Sequence, residues 1–128
     1  MNSSTRYAFF MLILALLLCL GFGILEAQTK ILRITYDEII LDSRNHYLSC
    51  EQLPTDTEVK QVLDQHRDII EKIEQIHPGF VGVEMDTSVC SGKADIIFWY
   101  GTHQERLLIE DMIAGETFYG IPYRLQNR

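Results

Sequence analysis

Two histidines and a carboxylate that could share a metal ion lie at the ends of two predicted helices. His77 ends the first helix, and His103 and Glu105 begin the second. Imidazole nitrogens and a carboxylate oxygen are suitable ligands for a divalent ion. No His-x-x-x-His or His-Glu-x-x-His spacing accompanies them, so capping or surface histidines are the competing interpretation. His66, on an apolar helix face, is interpreted as a core histidine, and His46 as an ordinary loop residue.

Acidic residues suggest a second possible chemistry. Glu84 and Asp86 share one face of a predicted strand, and Asp95 begins the next strand. Such carboxylates, or Glu105, could perform acid–base hydrolysis if burial raised one pKa. A solvated strand face is the simpler interpretation. The sequence has no Gly-x-Ser-x-Gly nucleophile motif and no glycine-rich phosphate loop, and we predict no cofactor.

The three cysteines divide into one near the N-terminus and one pair. Cys19 lies in an apolar leader, whereas Cys50 and Cys90 lie in polar loops. An even pair behind an export signal is typical of a disulfide. Closing a loop of this length contributes about 4 kcal/mol in the chain-entropy treatment. The sequence therefore predicts a Cys50–Cys90 disulfide.

The leader predicts that the chain leaves the cytoplasm. Arg6 precedes residues 8–25, which carry no charge, and Glu26 ends the apolar stretch. This layout is typical of a secretory signal, although the apolar stretch is longer than usual and approaches the length of a membrane span. Residues 1–27 are therefore a signal peptide, cut after Ala27 or Gly23, or a retained membrane anchor. A lipoprotein anchor at Cys19 is a further alternative.

The charge of the chain limits its partners. The net charge is −7 and the isoelectric point is near 4.9. Nucleic acid is excluded as an expected partner, because binding it requires a positive surface. No cluster of Lys and Arg predicts binding to a membrane surface, so we expect membrane contact only through residues 8–25, if they are retained.

Residues 28–128 form one predicted α+β domain with a β-α-β-β-α-β order of elements. Thr55 with Glu58, and Thr102 with Glu105, have the capping-box spacing that begins a helix. The second helix is expected to bury an apolar stripe of Leu107, Leu108, Met112 and Ile113. The predicted strands are residues 31–42, 80–86, 94–100 and 117–125, and the predicted helices are residues 55–77 and 102–114.

This order is that of the ferredoxin-like sandwich, with two helices on one face of a four-stranded antiparallel sheet. The fold puts the last strand at an edge, which suits Pro122 because proline has no N–H to donate. It puts the apolar strand 94–100 in the centre. It also brings the loops with Cys50 and Cys90 to one end of the sheet, and residues 77 and 103 to the other. A different α+β sandwich is the alternative.

Aromatic residues on the last two strands provide the candidate binding surface. In the expected fold one sheet face is open, and aromatic side chains there need a cover. We expect that cover to be a protein partner or a second copy of the chain, and the edge at residues 117–125 could accept another strand. The predicted function is an exported, non-enzymatic binding module. The alternatives are a metal-binding protein and a small hydrolase. The surface residues are Trp99, Tyr100, Phe118, Tyr119 and Tyr123.

Overall fold

The N-terminal part of the chain is an apolar helix. The computed structural model describes residues 3–128, so the first two residues of the predicted leader lie outside it. Contacts divide the chain into an N-terminal unit, Met1–Tyr36, and a C-terminal unit, Asp37–Arg128. Helix α1 spans Ser3–Thr29, and its segment Thr5–Leu25 is long and apolar enough to cross a membrane. A signal sequence and a membrane anchor both have these properties, so α1 is compatible with either.

The predicted first strand, residues 31–42, is wrong. Residues Ile31–Thr35 form helix α2, and Tyr36–Ile40 form one turn of π-helix. The run of Ile and Leu residues there is as compatible with helix as with strand, because a short apolar run lacks a decisive period. The domain therefore has no N-terminal strand to place in the centre of its sheet.

Of the other predicted elements, the strands 80–86 and 94–100 and the second helix are present, but the predicted single strand 117–125 is a hairpin of two strands that turns at Tyr119 and Gly120. Thr55 Oγ1 accepts a hydrogen bond from the Glu58 backbone N–H, and Thr102 Oγ1 accepts one from the Glu105 N–H, so both capping boxes are confirmed. The predicted long helix breaks at His66, whose ring stacks on the Tyr119 ring with centroids 3.4 Å apart. The helices are α3 (Asp56–Gln65), α4 (Arg67–Glu74), α5 (His103–Ile113) and a 3₁₀ turn at Cys50–Gln52. The strands are β1 (Gly82–Asp86), β2 (Asp95–Tyr100), β3 (Thr117–Phe118) and β4 (Ile121–Asn127).

The four strands form one mixed sheet in the order β1-β2-β4-β3. β1 pairs antiparallel with β2, β3 pairs antiparallel with β4, and β2 pairs parallel with β4. The class is α+β, as predicted, but the sheet is not the antiparallel sheet of the ferredoxin-like prediction. β4 occupies the central place beside β2 that residues 31–42 were expected to fill.

Pro122 therefore does not mark an edge strand. It lies opposite Thr117 of β3, and the pairing of β4 with β2 begins one residue later, at Tyr123. Since the proline precedes the parallel ladder, its missing N–H removes no hydrogen bond from that ladder.

Three helices and one face of the sheet enclose the core. Val59 of α3, Ile73 of α4 and Ile109 of α5 are buried in one cluster with the sheet. Side chains alternate along a strand, so the core face of the sheet takes every second residue of its two central strands. Those residues are Ile96, Phe98 and Tyr100 of β2, and Ile121, Tyr123 and Leu125 of β4.

The predicted buried stripe of α5 is largely wrong. Ile109 is fully buried and Ile113 packs against the core, whereas Leu107, Leu108 and Met112 are exposed. Ile109 and Ile113 are four residues apart and share one helix face. The helix is apolar on more than one side, so its sequence alone did not define which side faces the sheet.

A segment before the disulfide closes one edge of β4. The Arg44 N–H donates to the Leu125 carbonyl, and the Leu125 N–H donates to the Arg44 carbonyl, both at 2.8 Å. Asp42 Oδ1 accepts from Arg106 Nη1 at 3.0 Å. We call residues 42–46 the edge segment. Downstream, Cys50 and Cys90 are bonded, with Cα atoms 5.7 Å apart, in agreement with the predicted disulfide.

We expect Ile109→Ala to lower the free energy of unfolding by about 2–5 kcal/mol, because it leaves a cavity in the core. Leu108→Ala is the matched control on the same helix. Leu108 is 48% exposed, and its truncation should cost less than about 1 kcal/mol. Urea unfolding followed by Trp99 fluorescence measures both. A larger loss of stability for Leu108→Ala than for Ile109→Ala would instead support the predicted buried stripe.

Candidate functional site

The sheet face opposite the helices is mainly polar. It takes the residues that alternate with the core positions in the three longer strands. The two faces differ because charged residues occupy these alternate positions in β1 and β4. The residues of this open face are Gly82, Glu84, Asp86, Asp95, Ile97, Trp99, Arg124 and Gln126.

Trp99 is the main aromatic residue of the open face. It is half-buried and lies flat over Gly82, its partner in the β1–β2 register. A Cβ atom at Gly82 would lie 2.2 Å from the Trp99 ring, so the ring fits only against glycine. The guanidinium carbon of Arg128 lies 5.6 Å from the ring centre, and Arg128 also pairs with Glu84. The ring is thus fixed between a strand and a cation.

Arg124 joins all three longer strands through two aspartates. Its Nε lies 2.5 Å from Asp95 Oδ2, its Nη2 lies 2.9 Å from Asp95 Oδ1, and Nη2 also binds Asp86. Asp95 is only 2% exposed, so its charge depends on this two-point pairing. The cluster of Asp86, Asp95, Arg124 and His46 is called the open-face ion cluster.

His46 completes the ion cluster from the edge segment. Its Nε2 lies 2.7 Å from Asp95 Oδ2, and its Nδ1 accepts the Leu48 backbone N–H at 3.0 Å. An Nδ1 that accepts a hydrogen bond carries no proton, so the proton of the neutral ring is on Nε2 and is donated to Asp95. Both ring nitrogens are occupied. The His46–Asp95 pair therefore lacks the free nitrogen with which a histidine activates a nucleophile.

Two carboxylates of the open-face ion cluster, Asp86 and Asp95, have lowered pKa values. Burial raises the pKa of Asp95, but hydrogen bonds from His46 and Arg124 and the charge of Arg124 outweigh it, so the pKa lies below its usual value. The pKa of Asp86 is lowered in the same way, against its burial, by Ser88 and Arg124. A general acid requires the opposite shift. These groups therefore remain ionised and serve as fixed partners of arginine.

The structure gives the predicted metal ligands His77 and His103 different carboxylate partners. His77 Nδ1 lies 2.5 Å from Glu105 Oε1, which confirms that the two helix ends meet. Glu105 Oε2 accepts the backbone N–H groups of Gly101 and Thr102 at 2.9 and 3.0 Å, so this carboxylate caps α5. The hydrogen bond from His77 is the largest cause of the lowered pKa of Glu105. His103 instead binds Asp42, with Nδ1 2.7 Å from Oδ1. Within residues 3–128, no three His, Cys, Asp or Glu side chains are grouped to hold a metal ion.

The five predicted surface aromatics do not form one surface. Tyr100, Phe118 and Tyr123 are buried in the core, whereas Trp99 lies on the open face. Tyr119 is exposed at the β3–β4 turn, where it stacks on His66. Because nearly every residue of β2 is apolar, its sequence does not show which side chains alternate between the two faces. That alternation directs Trp99 to the opposite face from its two neighbours, Phe98 and Tyr100.

The free edge of the sheet is also different from the predicted one. β3 and the edge segment pair with β4, so the edge at residues 117–125 is occupied over much of its length. Within residues 3–128, β1 pairs only with β2, so its other side is an open edge, and the two-residue strand β3 forms the opposite edge. The roles of Arg124 and Arg128 were not predicted. Arg124 lies on β4 and Arg128 just after it, with β2 between them and the carboxylates of β1, so their pairing depended on a strand order that the sequence did not show.

Comparison with known proteins gives no relative. No protein family, curated protein or solved structure matches the chain.

We expect Gly82→Ala to displace the Trp99 ring, because the added Cβ atom would overlap it. The fluorescence of Trp99 should shift to the red as the ring becomes more exposed, and stability should fall by about 1–3 kcal/mol. Gly115→Ala is the matched control, since its Cβ atom would have only an ordinary contact, 3.9 Å from a carbonyl oxygen. An unchanged emission spectrum in Gly82→Ala would contradict the described packing.

We expect Asp95→Asn to lower stability at pH 7 by roughly 3 kcal/mol, because Arg124 loses a buried anionic partner. The lowered pKa of Asp95 means that its contribution is complete above its unfolded-state pKa, near 4, and is lost as pH falls further. The difference between the wild type and Asp95→Asn should therefore shrink below about pH 4. Urea unfolding at several pH values measures this difference in stability.

Asp111→Asn is the matched control. It removes an exposed carboxylate from α5 and should lower stability by less than about 0.5 kcal/mol at pH 7. A constant difference across pH would disprove the role of Asp95.

Proposed function

We propose that this chain is a non-enzymatic binding module that works outside the cytoplasm and contacts a protein partner through the open face of its sheet. The apolar helix α1 and the Cys50–Cys90 bond support the location, because disulfides persist in oxidising compartments. The contact surface is centred on Trp99 and Arg128 and borders the open edge of β1.

The observation that carries this proposal is the packing of Trp99 over Gly82. Tryptophan and arginine contribute most strongly to protein–protein interfaces when they are held rigidly and lose their water. Trp99 is partly exposed on a central strand, and Arg128 lies beside its ring. A partner that covers this pair would gain binding energy without having to order either side chain.

The neighbouring edge of β1 supports a protein partner over a small molecule. Its unpaired backbone groups can accept an extended segment of another chain. Glu84 and Asp86 lie along the same strand, and the chain has a net charge of −7. We therefore expect the partner segment to be neutral or basic, because an acidic one would be repelled.

The geometry supports catalysis and metal binding less well. Asp86, Asp95 and Glu105 have lowered pKa values, which is the wrong direction for a general acid. His77 and His103 bind separate carboxylates. A hydrolase using Glu84 or Glu105, and a metal protein using His77 and His103, are therefore weaker alternatives.

Site-specific photocrosslinking in the source cells tests the proposal. Gln126 is exposed and lies opposite Trp99 in the sheet register, so a photoreactive residue there reports contacts of the Trp99 surface. We expect a crosslink to one protein, or to a second copy of the chain, and the affinity for that species is then measured. Trp99→Ala should weaken it about 30-fold, corresponding to about 2 kcal/mol.

Tyr119→Ala is the matched control, because Tyr119 is an exposed aromatic residue outside the open face. It should leave the affinity unchanged. Equal losses in the two variants, or an affinity that Trp99→Ala does not alter, would reject the Trp99 surface as the binding site.

A further inference from the structure

We infer that residues 31–41 lie in the headgroup layer of a lipid bilayer, and that α1 is retained as the anchor that holds them there. This inference goes beyond the proposed binding function and does not depend on it. It rests on three observations: the exposure of apolar side chains in this segment, its attachment on the polar side, and its distance along the chain from α1.

Large apolar side chains in this segment are directed to the outside of the molecule. Ile39 and Ile40 of the π-helical turn are 73% and 65% exposed, and Ile31 and Tyr36 are also exposed. Tyrosine is enriched where a protein meets the headgroup layer, since its ring is apolar and its hydroxyl is polar. Exposure of so many large residues in one short segment is unfavourable in water and favourable at an apolar boundary.

The polar side of the π-helical turn is attached to the domain. The Asp37 carbonyl accepts the Ser43 backbone N–H at 2.8 Å, and the Asp37 carboxylate accepts a hydrogen bond from the Tyr47 hydroxyl. With Asp37 held in this way, Ile39 and Ile40 stay on the outside. The turn thus directs its isoleucines outward while Asp37 faces the domain, which is the orientation of a segment that lies in the plane of a membrane surface.

The length of α1 and its short distance along the chain from Ile31 favour a lipid bilayer as the cover of the exposed apolar side chains. The apolar part of α1, Thr5–Leu25, has 21 residues. At about 1.5 Å per residue it is about 32 Å long, which matches the hydrocarbon thickness of about 30 Å. Residues 26–30 separate it from Ile31 and extend at most roughly 18 Å. A retained α1 would therefore deliver the exposed segment directly to the headgroup layer.

The same exposure argues against cleavage of α1. Cutting after Ala27 or Gly23 would release a domain whose N-terminal segment presents Ile31, Tyr36, Ile39 and Ile40 to water. The uncharged stretch of residues 8–25 also exceeds the usual length of a signal peptide core. Both points favour an anchor.

Fluorescence quenching in nanodiscs tests this inference on the full-length chain. The nanodiscs contain phosphatidylcholine brominated in its acyl chains, and bromine quenches only nearby tryptophan. Wild-type protein, in which Trp99 is the single tryptophan, provides the baseline. The variants are Ile39→Trp, on the proposed membrane side, and Glu38→Trp, its charged neighbour. We expect the added fluorescence of Ile39→Trp to be quenched at least about twofold more than that of Glu38→Trp, since an interfacial helix buries only its apolar side.

Equal quenching of the two added tryptophans, or none, would overturn the inference. Mass spectrometry of the chain recovered from an exporting host provides a second readout. A chain that begins after Gly23 or Ala27 would overturn it as well, because the anchor would be absent. A dimer with an unquenched Ile39→Trp would identify a second copy as the cover instead. None of these outcomes affects the Trp99 surface, which the crosslinking experiment tests separately.

Discussion

The parallel pairing of β2 with β4 is the constraint on which the rest of this domain depends. Parallel neighbours require a long crossover, which α5 provides while it covers the core face of the sheet. The pairing also puts Arg124 between the aspartates that precede and follow the β1–β2 connection. Because β4 is then central, its outer side needs partners of its own. It finds them in the short strand β3 and in the edge segment.

Local signals in the sequence predicted the elements well where the period was clear. Two capping boxes, the alternation of β1 and the cysteine pair were all recognisable without knowledge of the fold. Residues 31–42 were misread because an Ile-rich run has no distinct period, and strand and helix both accommodate it. Because this segment is not a strand, the predicted order of strands in the sheet was wrong as well. The backbone pairing between Arg44 and Leu125 covers the outer edge of β4. It joins residues far apart in the chain, so no local sequence pattern indicates it.

The candidate site was only partly visible in the sequence, for a related reason. Glu84 and Asp86 were correctly assigned to one side of β1, but their arginine partners lie on β4 and just after it, and the neighbours of β4 depended on the topology. β2 is apolar at nearly every position, so its sequence does not distinguish the core side from the open side. Trp99 was therefore grouped with residues that belong to the core. The clearest signal for its true position is Gly82, since a glycine within a strand often marks a close approach.

The edge segment also determines how mechanical tension would enter the domain. A pull transmitted along the chain from α1 would reach the domain first at Asp37, which is hydrogen-bonded to Ser43 and Tyr47, and then at Asp42 and Arg44, whose contacts with α5 and β4 would open in turn. This opening ends at Cys50, because the disulfide transfers the tension to Cys90 in the β1–β2 loop. Residues 42–49 can thus extend under tension while the strands stay paired, although His46 then leaves Asp95. The domain therefore has a short extensible segment whose extension is limited by a disulfide bond.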